Sequence, residues 1–195
     1  MNRVVFALLE IFAAAVFLLP VYWLRFRDLR KCAASCLFSF YLVAVWSLVG
    51  LPTILYARFD SNLNIIPFAG MIADAKNCLL NVALFVPLGF LLPMFWEKYR
   101  KGSNAFLFGL GMSLLIELAQ IFTLRATDVN DLITNGAGTV LGWALWAGLQ
   151  RSSACFRKLE DALRAGELRF LCSAVVAVMF VPQPFLSAAL WEIFA

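Results

Sequence analysis

The sequence predicts an all-α fold, a polytopic membrane helical bundle with about six transmembrane helices at ~20 residues each. Of its 195 residues, 63% are hydrophobic and only 14% are charged, whereas about a quarter are charged in a soluble domain. The mean hydropathy of +0.86 agrees with this composition. The loops between such helices would be short, so no separate soluble domain is expected. The net charge of +4 is therefore interpreted through membrane orientation, and no nucleic-acid partner is expected.

The residue types that are missing restrict the chemistry. The chain contains no histidine, which removes the commonest metal ligand and the commonest general base. Any acid-base chemistry must therefore use carboxylates. The five cysteines show no CxxC pair or zinc spacing and are interpreted as small apolar packing residues. No cofactor and no metal site is predicted.

The first three spans are predicted from long apolar runs. The first covers residues 4–24 and is followed by a basic cluster that acts as a stop-transfer signal. A cleaved signal peptide is the alternative, although Glu10 interrupts the apolar stretch such a peptide requires. The second and third spans cover residues 33–56 and 77–96, and a kink is expected at Pro87 in the third.

The second half of the chain contains a polar-faced helical hairpin. Its arms, spans four and five, cover residues 104–124 and 131–150, and the short hinge between them makes them antiparallel neighbours. Residues 151–169 form a charged, amphipathic connector that is expected to lie on anionic headgroups. The last span, residues 170–194, is broken at residues 182–184, where two prolines flank a glutamine.

The basic residues predict the orientation of the bundle. Twelve of the 16 lysines and arginines fall in the loops after the first, third and fifth spans. The positive-inside rule places these loops in the cytoplasm and both termini outside.

Polar side chains within the spans lie at one depth. At ~1.5 Å of rise per residue, they fall in the outer half of the membrane. Intramembrane polar and ionisable groups normally face a bundle interior or a water-filled cavity. The layer contains Glu10, Asn77, Asn81, Glu117, Gln120 and Asn135.

Helical spacing places the hairpin's polar and small residues on one face of each arm. A Gly138-x-x-x-Gly142 pair permits close approach to another helix, and span four is the expected partner. Arg125 is the expected partner of Glu117, because an unpaired carboxylate at that depth costs ~2.5 to 3.5 kcal/mol. The two faces consist of Gly109, Ser113, Glu117 and Gln120 on span four, and Asp128, Asp131, Asn135, Gly138 and Gly142 on span five.

Structural roles are the alternative for several of these residues. Asp128 and Asp131 can cap free N–H groups at a helix N-terminus. Asn77 and Asn81 can serve as interhelical hydrogen-bond partners. Glu10 can lie close enough to the surface for its carboxylate to reach the headgroups.

At these residues the chain resembles the VanZ-like family of bacterial membrane proteins. The resemblance covers about residues 51–149, which divides the chain into N-terminal transmembrane helices (1–50), a VanZ-like membrane domain (51–150), and the connector with the last helix (151–195). The matching pieces are NIIPF at residues 64–68, NCLLNVALFVPLGFLLP at 77–93, SLLIELAQIF at 113–122, and R-x-x-D-x-x-D-x-x-x-N-x-x-G at 125–138.

The resemblance implies a location and a setting but no reaction. The family is named for a protein associated with low-level resistance to the glycopeptide teicoplanin, which implies a multi-pass protein of the bacterial cytoplasmic membrane acting at the cell envelope. The family's polar positions are matched here by Asn81, Glu117, Gln120, Arg125, Asp128, Asp131 and Asn135.

Three functions fit these features. The preferred hypothesis is a protein that binds or modulates a lipid-linked envelope component or a glycopeptide-type antibiotic through an outward polar pocket. The second is an intramembrane enzyme on a lipid-linked phosphate or glycan, in which Asp128, Asp131 and Glu117 act as acid-base groups or as an all-oxygen Mg²⁺ or Mn²⁺ site, although no catalytic residue is assigned. The third is a structural subunit that contacts envelope-synthesis proteins. Membrane lipids are partners in each case, and the pocket consists of the seven matched residues together with Asn77.

Overall fold

The computed structural model describes residues 3–51, 63–64, 66–68, 71, 73–122, 127–150 and 162–194. Nearly all of this part of the chain is helical. Two short strands, β1 (Leu63–Asn64) and β2 (Thr127–Asp128), pair in parallel. A one-turn 3-10 helix, Glu97–Arg100, joins α3 to α4. The α-helices are α1 (Arg3–Phe26), α2 (Leu29–Val49), α3 (Ala75–Phe95), α4 (Gly102–Gln120), α5 (Val129–Leu149), α6 (Ala165–Phe180) and α7 (Pro182–Phe194).

The predicted class, an all-α membrane bundle, is confirmed. Within the described ranges, four helical stretches are long and apolar enough to cross a membrane by length and composition: Leu29–Val49, Ala75–Phe95, Gly102–Gln120 and Gly166–Leu186. Helices α1 and α5 contain 24 and 21 residues, which also reaches spanning length. The exact number of six spans stays a prediction.

Local signals explain where several helices begin and end. Asp28 caps α2, because its carboxylate accepts hydrogen bonds from the backbone N–H groups of Arg30 and Lys31 at 2.8 and 3.2 Å. Gly50 ends the same helix in the left-handed conformation, with a φ of 66° that glycine adopts without a steric penalty. The expected break in the last span is confirmed, since α6 ends at Phe180 and α7 begins at Pro182.

The helices form two compact units. One unit consists of Met1–Ala57 and Leu163–Ala195, and its described helices are α1, α2, α6 and α7. Inside it, the Tyr22 and Ser39 hydroxyl groups are hydrogen bonded at 2.6 Å. The other unit, Arg58–Ala162, contains α3, α4 and α5. Most of the predicted connector, residues 151–161, lies outside the described residues, and α6 begins within its remainder.

The prediction that Gly138 and Gly142 pack against span four was wrong, because both residues face α3. A Cβ atom at Gly138 would overlap the carbonyl oxygen of Val82, and one at Gly142 would overlap that of Val86. Gly89 is the corresponding glycine of α3, since a Cβ there would overlap the backbone of α5. These three glycines form the seam between α3 and α5. Closeness in sequence favoured α4, but the α4 interface is filled by side chains, whereas the α3 interface requires backbone-to-backbone approach. Gly109 of α4 does face α5, where it accommodates the side chain of Thr139.

Candidate functional site

The start of α5 is tied to the end of α4 by Glu117. Its Oε2 atom accepts a hydrogen bond from the backbone N–H of Asp128 at 3.0 Å, and the residue is only 2% exposed. Asp128 in turn caps α5, with its Oδ1 atom accepting a bond from the N–H of Asn130 at 2.8 Å. The capping alternative for Asp128 is therefore observed. The expected pairing of Glu117 with Arg125 lies outside the described residues.

A second tie joins α5 to α3. The Nδ2 atom of Asn81 donates a hydrogen bond to Oδ1 of Asp131 at 2.7 Å. Both side chains are half-buried. Unlike Glu117, this pair is partly accessible, so it has surface left for a ligand.

Asn130 links the segment that contains Phe68 to the start of α5. This residue was not among those predicted from the sequence. This residue is 3% exposed, and its Oδ1 atom accepts a hydrogen bond from the backbone N–H of Phe68 at 2.6 Å. The pairing of Asn64 with Asp128 through strands β1 and β2 brings the same segment to the start of α5. The contact of this segment with α5 was not predicted from the sequence. The only signal in the sequence was an amide in the first turn of an apolar helix.

Asn135 lies one turn deeper, between α5 and α4. Its Nδ2 atom donates to the hydroxyl oxygen of Ser113 at 2.9 Å, and both residues are buried. Its Oδ1 atom is buried without a hydrogen-bond partner. The Thr139 hydroxyl donates to the backbone carbonyl of Asn135 at 2.9 Å. Asn135 therefore holds the two arms of the hairpin together below the accessible pair.

Three predicted polar residues have different surroundings. Gln120 is buried as the last residue of α4, close in sequence to Glu117. Asn77 is exposed and donates to Oδ1 of Asp74 at 2.6 Å, so its hydrogen bond is to a residue outside the predicted set. Glu10 belongs to the other unit, where its Oε1 atom accepts a bond from Gln183 at 2.9 Å.

The assembled site is rich in hydrogen-bond acceptors. Three carboxylates, those of Glu117, Asp128 and Asp131, lie at the junction of α3, α4 and α5. Within the part of the chain that the structure describes, no group of three or more His, Cys, Asp or Glu side chains is placed to hold a metal ion. The half-buried carboxylates of Asp128 and Asp131 suit a ligand that offers hydroxyl, amide or ammonium donors.

Comparison with known proteins identifies the family. A sequence model of the VanZ/LLP1 family matches residues 38–150, which include α3, α4 and α5. Protein VanZ of Enterococcus faecium is 35% identical over 103 residues, which are 52% of this chain and 62% of that protein. The match thus spans less than two thirds of that relative's length. No solved structure is significantly similar to the chain. The predicted resemblance is confirmed, and the chain belongs to the VanZ/LLP1 family of membrane proteins.

Proposed function

We propose that this protein binds an envelope ligand rich in hydrogen-bond donors at the accessible face of the Asn81–Asp131 pair. The ligand is the glycan-peptide headgroup of a lipid-linked cell-wall precursor or a glycopeptide antibiotic, both of which carry sugar hydroxyl and peptide N–H groups. The protein acts as a multi-pass protein of the bacterial cytoplasmic membrane, with the start of α5 on the outer side. This orientation follows from the twelve basic residues expected in the cytoplasmic loops.

The single observation that carries the proposal is the half-buried Asp131 carboxylate held by Asn81 at 2.7 Å. The amide positions one oxygen of the carboxylate and thereby restricts rotation of the carboxylate group. A positioned carboxylate binds donors more tightly than a mobile one, because less side-chain entropy is lost on binding. Hydrogen bonds to a charged acceptor contribute about 1.5–3 kcal/mol each.

The surrounding hydrogen bonds support a binding role over a catalytic one. Glu117 is buried and occupied by the N–H of Asp128, so it positions the hinge and does not face a ligand. Asp128 is occupied in part as the cap of α5. The carboxylates are thus used to hold the junction together, whereas a general acid or base must reach a reacting atom.

The proposal is tested by binding measurements on the full-length protein in lipid nanodiscs. The probes are teicoplanin and a purified lipid-linked disaccharide-pentapeptide precursor, each titrated against protein-containing and empty nanodiscs. We expect saturable binding of at least one probe, which is recovered with its mass unchanged. Binding of neither probe would contradict the proposal. Recovery of a cleaved or modified probe would instead support the enzymatic alternative.

A further inference from the structure

The ends of α1, α2 and α6 meet in a part of the chain that lies outside the residues matching the family. The connection between α1 and α2 consists of residues 27–28 alone. Lys31 of α2 forms an ion pair with Glu167 of α6 at 3.6 Å. The guanidinium carbon of Arg25 in α1 lies 5.8 Å from the ring centroid of Phe170 in α6. These two contacts bring both sides of the short connection to the first two turns of α6.

The residues that meet here, 25–31 and 164–170, are called the basic corner. They include six basic and two acidic residues, a surplus of four positive charges. Both carboxylates already have partners. Asp28 accepts hydrogen bonds from the backbone at the start of α2. Glu167 accepts one from the backbone just before α6 and also pairs with Lys31.

Three arginines of the basic corner are exposed: Arg25, Arg27 and Arg169. Among the residues that the structure describes, none of the three lies within ion-pair distance of a carboxylate. Arg27 has a φ of 48°, in the left-handed region that glycine adopts more easily. Non-glycine residues in this conformation are frequent at ligand-binding positions. The basic corner therefore presents guanidinium groups that have capacity for an anion.

Exposed apolar side chains lie next to these arginines in the chain. Trp23, Leu24 and Leu29 are 57%, 70% and 77% exposed. In a membrane helix such side chains face acyl chains, and tryptophan is enriched at the level of the lipid headgroups. Cationic and apolar groups are thus offered together, which matches the charged headgroup and the acyl chains of a phospholipid.

We propose that the basic corner binds one anionic phospholipid, with its phosphate held by the exposed arginines and its acyl chains lying along α1. Guanidinium donors match the geometry of phosphate oxygens. Basic groups between membrane helices on the cytoplasmic side are a recurrent site for anionic headgroups, and the distribution of basic residues predicts that side for this end of the unit. A soluble phosphate would make no use of the apolar side chains. The site is independent of the ligand site proposed at Asp131.

The first test measures lipid binding by the purified full-length protein. Protein in detergent is titrated with phosphatidylglycerol or with phosphatidylcholine of the same acyl chains, and bound lipid is detected by native mass spectrometry. We expect one phosphatidylglycerol to bind about tenfold or more tightly than phosphatidylcholine, because only the former carries a net negative charge. Equal affinities would overturn the proposal. Displacement of the lipid by free glycerol phosphate, which lacks the acyl chains, would also contradict it.

A pair of double variants assigns the binding to this corner. Arg27→Gln with Arg169→Gln removes two exposed charges and leaves Arg25 in place. Its dissociation constant for phosphatidylglycerol should rise about tenfold or more, because each basic residue near an anionic surface contributes a factor of about five. Lys98→Gln with Lys101→Gln is the matched control, since both lysines are exposed and belong to the other unit. The control should retain the affinity of the wild-type protein, whereas equal weakening in both variants would contradict a specific site.

A measurement on the wild-type protein covers the case in which the arginine variant does not fold. Phenylglyoxal reacts with guanidinium groups, and the labelled residues are identified by mass spectrometry of peptides. Phosphatidylglycerol in the nanodisc should slow labelling of Arg27 and Arg169 several-fold relative to phosphatidylcholine alone. Arg100 of the other unit is the internal reference for the general effect of an anionic surface and should be slowed much less. Equal slowing at all three arginines would mean that no lipid is held at the basic corner, and the proposal would be rejected.

Discussion

Glu117, in the last turn of α4, accepts a hydrogen bond at 3.0 Å from the backbone N–H of Asp128, the residue that caps α5. The bond therefore closes the hinge between the two arms of the hairpin. A carboxylate that is 2% exposed serves here as an acceptor for a backbone donor at a helix start. The position of Asp128, and through it that of Asp131, depends on this contact.

Replacement of Glu117 tests whether its oxygen atom or its charge is required for folding. Glu117→Gln retains an acceptor for the Asp128 N–H and should fold normally. Glu117→Leu removes the acceptor and should lower the free energy of unfolding by about 1–3 kcal/mol, because a backbone donor loses its partner. The thermal unfolding midpoint in detergent would report this as a loss of about 2–4 °C for each kcal/mol. Equal midpoints for the two variants would contradict the role of Glu117 in closing the hinge.

The close contact of α3 and α5 predicts a strong effect of a single methyl group. Gly142→Ala places a Cβ atom where it would overlap the backbone carbonyl of Val86, so the helices must separate and folded yield should fall several-fold. Gly148→Ala is the matched control on the same helix, since no atom of a neighbouring helix lies within 4 Å of its added Cβ atom. Yield is measured as the monodisperse fraction after size-exclusion chromatography. A normal yield of Gly142→Ala would show that the seam is looser than the structure has it.

The composition and the spacing of apolar residues were enough to predict the helices and the polar-faced hairpin. The break near Pro182 was also predicted, from the two prolines that flank Gln183. Proline alone does not decide such a break, because α1 and α3 continue through Pro20 and Pro87. Both predictions rest on the chemistry of one segment at a time.

Contacts between segments were predicted less well. The partner of Gly142 depends on which neighbouring backbone comes closest, and helical spacing fixes the face of the helix but not the identity of its neighbour. Asn130 was missed for a similar reason, since its partner, the Phe68 N–H, belongs to a loop 62 residues earlier. Glu10 was grouped with the other polar residues by its expected depth, but its observed partner, Gln183, is 173 positions away.

The contact between Asn135 and Ser113 predicts a smaller stability effect in the α4–α5 interface. Ser113→Ala leaves the buried Nδ2 group of Asn135 without its acceptor and should cost about 0.6–2 kcal/mol, the range for hydrogen bonds between membrane helices. Ser103→Ala, at an exposed position of the same helix, should leave the unfolding midpoint unchanged. A midpoint for Ser113→Ala as high as that of the control would indicate that Asn135 finds another acceptor without cost.

The predicted orientation can be tested with the protein's own thiols. Cys78, in the first turn of α3, is half-buried, and Cys32 and Cys172 lie in helices near the basic ends expected in the cytoplasm. A membrane-impermeant maleimide added to intact cells should label a variant that retains only Cys78. Variants that retain only Cys32 or only Cys172 should stay unlabelled in intact cells. The reverse pattern would invert the assigned topology.

The most direct test of the central proposal is the dissociation constant of the Asp131→Asn variant for whichever probe the wild-type protein binds. The amide oxygen of the new side chain can still accept the bond from Asn81, so the variant should insert, accumulate and unfold like the wild-type protein. Loss of a charged acceptor worth about 1.5–3 kcal/mol should nevertheless raise the dissociation constant about tenfold or more.

Asn77→Ala is the control for that measurement, because Asn77 is exposed and its side chain is bonded to Asp74 and not to Asp131. Its dissociation constant should match that of the wild-type protein. We expect weak binding by Asp131→Asn and unchanged binding by Asn77→Ala, with both proteins folded. Wild-type affinity in Asp131→Asn would contradict the proposed ligand site and leave Asp131 as a structural link between α3 and α5.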